Sequence, residues 1–311
     1  MSKRSTFKAS LLLAALSLVL AACGDDLGDV ETIKLAVNPW DGSAVNIAVA
    51  AAVLEGEGYT VERVEIDENA QWAAIAAGDL HASLEVWPSG HADNVASYID
   101  GGGGVVNGGE LGAVGKIGWW IPTYVVEQNP AAGSWQGLQD PATAQVYATA
   151  ETGDKGQFLI GDPSWVSYEQ DIIDNLGLHL EVAYAGSEEA LLAAMDSATS
   201  RGDPLLFYWW TPHSAFSKFD LTAFELPPYS DECYASGAVD CDYPDDVLFK
   251  IMWDGLEEGA PTAFAILSNF SYTNEDQIFM LGQLDAGLSV DEAAAAWMDA
   301  NESVWQAWIP G

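Results

Sequence analysis

The chain has 311 residues, of which 49% are hydrophobic, and 47 acidic residues against 10 basic ones give a formal net charge of −37. This length and apolar content predict a folded protein large enough for two lobes, and they exclude a disordered chain. The acidity excludes nucleic acid as a partner and disfavours anionic membrane surfaces. Because the acidic residues are scattered, we attribute most of them to solubility or adaptation to salt.

Residues 1–22 have the organisation of a signal peptide. Lys3, Arg4 and Lys8 precede an apolar run that is too short to span a membrane. The run ends in Leu-Ala-Ala-Cys, which resembles a bacterial lipobox and predicts cleavage before Cys23 and acylation of its sulfur; plain secretion is the alternative. We expect residues 23–32 to be a lipidated cysteine and its tether, anchoring the protein to the outer face of the cell membrane.

Two further cysteines, Cys233 and Cys241, lie in a loop rich in Gly, Ser and Asp. An oxidising compartment favours a disulfide between them. A metal site is the alternative, but no histidine lies beside them, and the other histidines show no metal-ligand spacing. We therefore predict a disulfide, no metal and no cofactor.

Strands and helices alternate along the chain, with a Gly-rich flexible crossing expected at residues 101–115. Two such series predict an α/β fold in which two lobes, each a mixed sheet flanked by helices, enclose a cleft. The predicted strands are 33–38, 59–66, 82–86, 144–149, 180–184 and 205–208. The predicted helices are 43–57 (capped by Ser43), 70–77, 165–176, 187–200 and a long one that begins with the capping box Ser289 to Glu292.

Tryptophans stand near the ends of these strands, where open α/β sheets bind their ligands. The ones concerned are Trp40, Trp87, Trp119, Trp120, Trp165, Trp209 and Trp210. The periodic apolar positions of Trp72, Trp253, Trp297 and Trp305 indicate packing instead. Indole faces stack on sugars or surround a cation that has no N–H donor, and a trimethylammonium group is such a cation.

Several motifs together resemble the substrate-binding proteins of glycine betaine, proline betaine and choline ABC transporters. The motifs are VNPW, LEVWPSGH, GWWIPTYVV, GDPSW, YAGSEEALLAAMDSA and FYWWTPH, and the similarity extends over residues 33–308. The resemblance implies a two-lobed periplasmic-binding-protein fold of type II that closes over its ligand. Lobe 1 would comprise residues 33–122 plus 223–311, and lobe 2 residues 123–222.

The resemblance also implies roles for individual residues. Trp87, Trp165 and Trp210 look like cage walls, while Trp40 and Trp119 match aromatic positions of the choline-binding branch. Either member of each tryptophan doublet, Trp119–Trp120 and Trp209–Trp210, remains open as the inward one. His213 falls where some betaine binders place a donor to the ligand carboxylate.

Two further residues follow from the predicted elements. The backbone amides of Val166 and Ser167 are expected to begin a helix and to hold a carboxylate. They favour a zwitterion, with glycine betaine first and choline or carnitine as alternatives. Asp41 is a candidate acceptor for a choline hydroxyl.

The expected function is capture of a quaternary ammonium compound by hinge closure, followed by delivery to an ABC permease and its ATPase. The alternative of another class is an exported carbohydrate-binding or glycoside-hydrolysing protein that recruits Glu85 and Glu151. No G-x-S-x-G elbow or Cys–His pair supports an enzyme, and none is predicted.

Overall fold

The computed structural model describes residues 30–235 and 237–311. The predicted signal peptide, the acylated Cys23 and the first part of the predicted tether lie outside these residues. Within the described ranges, no helix combines the length and the apolar character needed to cross a bilayer.

The described strands form a single mixed sheet in the order β2-β1-β3-β9-β4-β7-β5-β6, with β8 paired to β4. Three parallel strands lie at each end, and antiparallel β9 and β4 lie between them. The strands are β1 Thr32–Val37, β2 Thr60–Glu65, β3 Ala82–Val86, β4 Val105–Pro122, β5 Gly156–Ile160, β6 Leu180–Tyr184, β7 Phe207–Thr211, β8 Leu221–Ala223 and β9 Asp245–Trp253.

Helices cover this sheet. Those of seven or more residues are α1 Asp41–Gly56, α2 Ala70–Ala76, α3 Glu169–Leu176, α4 Glu188–Arg201, α5 Pro261–Asn269, α6 Asn274–Asp285 and α7 Val290–Ala300. Helix α1 is apolar around most of its circumference because it lies between β1–β3 and the C-terminal helices α6 and α7. The predicted α/β class and the capping box of α7, formed by Ser289 and Glu292, are confirmed.

Strand β4 joins two halves of the molecule. Its first part pairs with β9 as far as Lys116 opposite Asp245, and its second part pairs with β7 from Lys116 opposite Thr211 onwards. We call β1, β2, β3 and β9 with their helices the first half, and β5, β6 and β7 with theirs the second half. Strands β3 and β7 both end towards the level of Lys116, so the carboxyl ends of the two halves face each other there. The exact residue limits of the two lobes stay a prediction.

The flexible crossing predicted at residues 101–115 is wrong from Val105 onwards, where β4 begins. Two of its glycines lie where the pairing of β4 is irregular. Register shifts lie between Asn107 and Glu110 and between Glu110 and Val114, and Gly109 and Gly112 there adopt φ values of 89° and 99°. Left-handed backbone of this kind favours glycine, so the glycines make bulges in a continuous strand.

Three other elements differ from the prediction. Residues 144–149 form no strand, because Pro141–Ala144 is a helical turn that begins at the capping side chain of Asp140, and β5 follows later. Helix α3 begins at Glu169, four residues after the predicted start. Helix α1 begins at Asp41, and the hydroxyl of Ser43 accepts a hydrogen bond from the Asn38 backbone instead of capping the helix.

The predicted disulfide between Cys233 and Cys241 is present. It closes the loop that brings Tyr234 against Tyr168 and Tyr243, with ring centroids 5.4 and 6.5 Å away. The loop thereby packs on the segment that leads into α3.

Candidate ligand-binding site

A cavity lies where the two halves meet. Its aromatic walls come from both halves, and all five rings are at least nine-tenths buried. The first half contributes Trp40, Glu68, Trp87 and Gly90, β4 contributes Ile117, and the second half contributes Trp165, Val166, Tyr208 and Trp210. Four of the five tryptophans predicted as site residues therefore surround one cavity.

The first-half wall consists of Trp40 and Trp87, which follow β1 and β3 as predicted. Both indole N–H groups donate to the same carboxylate oxygen, Oε1 of Glu85, at 2.8 Å from Trp40 and 3.2 Å from Trp87. With both edges held from behind, the two indoles are fixed in the wall of the cavity.

The second-half wall consists of Trp165, Tyr208 and Trp210. The ring of Trp165 meets Trp210 edge-on, with centroids 5.1 Å apart at 89°, and lies 5.7 Å from Tyr208. Tyr208 and Trp210 are two residues apart on β7, so their side chains lie on the same face of the strand. Burial raises the pKa of the Tyr208 hydroxyl well above its ordinary value, so the phenol is neutral.

Two glycines leave room for the indoles. A Cβ at Gly115 would lie 2.2 Å from the ring of Trp87, and a Cβ at Gly161 would lie 2.4 Å from the ring of Trp165. Real Cβ atoms do not approach other atoms so closely, and any side chain at these positions would displace the wall.

Trp119, predicted as a cage residue, lies in the core instead. It is 1% exposed, and its ring packs 4.3 Å from Phe158 and 5.5 Å from Phe224. It shares a face of β4 with Ile117 but is further from the crossing at Lys116, which places it behind the cavity. Its neighbour Trp120 packs on Phe216.

Side chains alternate between the two faces of β7, and this alternation decides which member of the Trp209–Trp210 doublet faces the cavity. Trp210 lines the cavity, whereas Trp209 is fully buried and contacts His213 edge-on at 4.6 Å. His213 is 4% exposed, and both of its ring nitrogens have partners within the protein. Nε2 lies 2.8 Å from Oε1 of Glu188, and Nδ1 accepts the N–H of Ala215. His213 thus supports Trp209 and Trp210 from behind in this structure and does not face the cavity as predicted.

The amides of Val166 and Ser167 also differ from the prediction. They precede α3 by two residues or more, so they do not form the N-terminus of a helix. Val166 lines the cavity, but its N–H donates to Oε1 of Glu68 at 2.5 Å. Ser167 does not line the cavity.

The Glu68 carboxylate therefore accepts the Val166 N–H, the group that the sequence predicted would bind a ligand carboxylate. Its other oxygen lies 2.9 Å from Nε2 of the buried His91, whose Nδ1 bonds to Asn94. Sequence reasoning missed Glu68 because nothing in the run IDENAQW distinguishes it from the other scattered acids. Tyr208 carried a usable signal, since it lies two residues before Trp210 in a strand.

The two halves touch through direct hydrogen bonds around the cavity. Trp165 Nε1 donates to the carbonyl of Pro39, the Tyr168 hydroxyl donates to the carbonyl of Ser89, and the Asp41 N–H donates to Oε2 of Glu188. With the Val166–Glu68 contact, these bonds describe a closed arrangement.

An acidic groove lies beside the cavity, with Asp41 and Glu188 facing each other from opposite halves. Burial raises the pKa of Asp41 to about 6, and the Glu188 carboxylate is the second cause. The closed arrangement thus makes Asp41 easier to protonate than an exposed aspartate. The groove is separate from the aromatic walls, apart from the shared Trp40, so Asp41 is not placed to bind a ligand in the cage.

Comparison with known proteins agrees with this architecture. Residues 31–300 match the family described as the substrate binding domain of ABC-type glycine betaine transport systems. The trimethylamine N-oxide-binding protein of Pelagibacter ubique (strain HTCC1062) is 28% identical over 98% of this chain and 98% of its own length.

Two solved structures share the fold at 20% sequence identity. The closed lactococcal OpuAC with glycine betaine has a TM-score of 0.71 over 90% of this chain and 100% of its own. A choline-binding protein of an ABC transporter, in complex with choline, has a TM-score of 0.72 over 90% and 92%. The likeness confirms the predicted two-lobed type II binding-protein fold.

The aromatic walls generate a first prediction. Trp87→Ala and Trp210→Ala should each weaken glycine betaine binding at least tenfold, about 1.4 kcal/mol, because each removes one face of the enclosure. Isothermal titration calorimetry measures this loss, and circular dichroism checks the fold. Trp305 does not line the cavity, so Trp305→Ala is the matched control and should bind like the wild type. Unchanged affinity in both cage variants would remove the cavity from consideration as the binding site.

The groove generates a second prediction, on pH. Closure buries Asp41 beside Glu188 and raises its pKa, so the closed form binds more protons than the open form between pH 4 and 6. Asp41 should therefore favour glycine betaine binding as pH falls from 7 to 5, by up to about tenfold. Calorimetry at pH 5.5 in buffers of different ionisation enthalpy should show proton uptake that is smaller in Asp41→Asn. Equal uptake by the two proteins would mean that Asp41 does not titrate on closure.

Proposed function

Because this chain belongs to the family of substrate-binding domains of ABC-type glycine betaine transport systems, we propose that its aromatic cavity captures a small trimethylammonium compound. The observation that supports this most directly is the enclosure of one cavity by Trp40 and Trp87 from the first half and Trp165 and Trp210 from the second. The family consists of extracytoplasmic solute-binding components of ABC importers and not of enzymes, so the carbohydrate-binding or glycoside-hydrolysing alternative is not supported.

The chemistry of the walls suits such a head group. A quaternary nitrogen offers no N–H, and the negative faces of indole rings attract it at about 0.5–2 kcal/mol per ring. Four indoles give about 2–8 kcal/mol, and burial of the methyl groups adds to this. Before the costs of association are subtracted, the upper end of this sum is comparable to the 8.2 kcal/mol of a micromolar complex.

The sequence favours glycine betaine within this class. One observation favours instead a ligand that has a single oxygen and no carboxylate. Trimethylamine N-oxide and choline are both such ligands. The Val166 amide is engaged by Glu68 and His213 by Glu188, so two of the three groups predicted to hold a ligand carboxylate already have acidic partners, and the third, the Ser167 amide, belongs to a residue that does not line the cavity. The Pelagibacter relative, named for trimethylamine N-oxide, matches this chain over nearly its full length.

We assign the hydrogen bond to the ligand oxygen to Tyr208. Its ring lines the cavity, and its hydroxyl forms no hydrogen bond with the residues that the structure describes. A neutral phenol can donate to an N-oxide or carboxylate oxygen and can accept from a choline hydroxyl.

Calorimetry with four solutes tests the ligand class and the Tyr208 assignment together. The solutes are glycine betaine, trimethylamine N-oxide, choline and tetramethylammonium, which has the cationic group but no oxygen. Tyr208→Phe should weaken the preferred oxygen-bearing ligand about threefold to tenfold, the equivalent of one hydrogen bond. Tetramethylammonium affinity should stay unchanged.

The exposed Tyr184 provides a matched control, since Tyr184→Phe should leave all four affinities unchanged. Binding of an oligosaccharide in place of all four solutes would contradict the proposed function. Equal losses for tetramethylammonium and the oxygen-bearing ligand in Tyr208→Phe would contradict only the Tyr208 assignment.

We further propose that Cys23 carries a lipid that anchors the protein to the outer face of the cell membrane. The Leu-Ala-Ala-Cys sequence at the end of the apolar run supports this. Expressed in a bacterium with labelled palmitate, the full chain should incorporate label and fractionate with membranes. Cys23→Ser should lose both properties, and a variant that stays labelled and membrane-bound would disprove the anchor.

A further inference from the structure

The first-half wall of the cage rests on a buried acid. Glu85 lies on β3 and is 1% exposed, and its Oε1 accepts the indole N–H groups of both Trp40 and Trp87. Its Oε2 accepts the side-chain N–H of Asn46 on α1 at 2.8 Å. Glu85 does not line the cavity, so it contacts the cage tryptophans and not the space they enclose.

The surroundings of Glu85 are polar but contain no basic group among its described partners. Asn46, Tyr272 and Gln277 form a buried cluster beside it, and a Cβ at Gly42 would meet both Gln277 and Glu85. Burial raises the pKa of Glu85 to about 7, while the hydrogen bonds from Trp40, Trp87 and Asn46 lower it. All three described partners donate, which is the pattern that a carboxylate requires.

The second-half wall lacks such a charge. The N–H of Trp165 donates across the cleft to the neutral carbonyl of Pro39 at a longer 3.3 Å. Trp210 is supported by ring contacts with Trp165, Trp209 and His213. Two of the four indoles are therefore bonded to an anion, and both belong to the same half.

We propose that Glu85 is a positioning and specificity residue for the proposed ligand, on which this inference rests. It fixes the planes of Trp40 and Trp87, and its negative charge makes their faces more attractive to a cation. A carboxylate at the N–H edge polarises the indole so that electron density shifts onto the ring, which deepens the quadrupole that binds the cation. The charge itself attracts the ligand through a low-dielectric wall in the same direction. Both effects distinguish a positive ligand from a neutral one of the same shape.

Glu85→Gln separates the charge from the shape. The glutamine carbonyl can accept both indole N–H groups, as the Glu85 Oε1 does. Its new N–H₂ group faces Asn46, whose Oδ1 has no hydrogen-bond partner among the described residues and can accept after rotation of the amide. The variant therefore keeps the tether and removes the anion.

The experiment compares ligands that differ only in charge. Choline is paired with 3,3-dimethylbutan-1-ol, and glycine betaine with 3,3-dimethylbutanoate; in each pair carbon replaces the quaternary nitrogen. Calorimetry gives the ratio of the two affinities for whichever pair the wild type binds. Glu85→Gln should lower the preference for the nitrogen compound about fivefold to tenfold and leave the affinity of the carbon analogue within twofold.

Asp276→Asn is the matched control. Asp276 accepts the indole N–H of Trp297 at 2.8 Å, which is the same chemistry in the same half but away from the cavity. This variant should leave the ratio unchanged. An unchanged ratio in Glu85→Gln, or equal losses for both members of the pair, would overturn the proposal. If the wild type binds only trimethylamine N-oxide, the same ratio is measured against tert-butanol, and if it binds none of the three nitrogen compounds, the proposed function fails instead.

A measurement on the wild type covers the case in which Glu85→Gln does not fold. Proton NMR of the indole N–H groups should place Trp40 and Trp87 downfield of Trp165 and protected from exchange with water, because they donate to a buried carboxylate. Resonances of Trp40 and Trp87 at the position of Trp165 would overturn the proposal.

Discussion

Enclosure of a charge that cannot be hydrogen-bonded is the constraint on which this structure depends. A trimethylammonium group presents methyl surfaces in every direction, so a binding site must surround it with polarisable faces. A single sheet end supplies faces from one side only. Strand β4 passes from one half to the other at Lys116, where the strand ends that hold Trp87 and Trp210 point towards each other. The two halves can therefore supply faces from two sides.

Each wall is held within its own half, which makes closure a movement of preformed parts. Trp40 and Trp87 are tied to Glu85, while Trp165, Tyr208 and Trp210 support one another by ring contacts. The bonds that cross the cleft are few and involve side chains or single amides. Separation of the halves breaks the Trp165 bond to Pro39 but leaves the contacts within each wall in place, and a ligand that contacts both walls favours the closed form.

The sequence predicted the fold class and most of the cage because both depend on local patterns. Alternating strands and helices indicated α/β structure, and tryptophans directly after strands indicated the cleft. Trp119 was misassigned because its distance from the crossing depends on where β4 begins, and a glycine-rich stretch hid that strand. Glu68, and the role of Glu85 behind the cage, could not be predicted for another reason. A chain with 47 acids gives no local sign of which ones are buried, and only tertiary packing selects them.

Most of the acidic residues lie on the surface, but three of the acids around the cleft act in opposite directions. Glu85 increases the attraction of the first-half wall for a cation. Asp41 and Glu188 approach each other as the halves close, and their like charges oppose closure unless Asp41 takes up a proton. Hydrogen bonds from the Asp41 amide and His213 to Glu188 offset part of that repulsion. Closure thus carries an electrostatic cost, and a ligand that contacts both walls supplies free energy that offsets it.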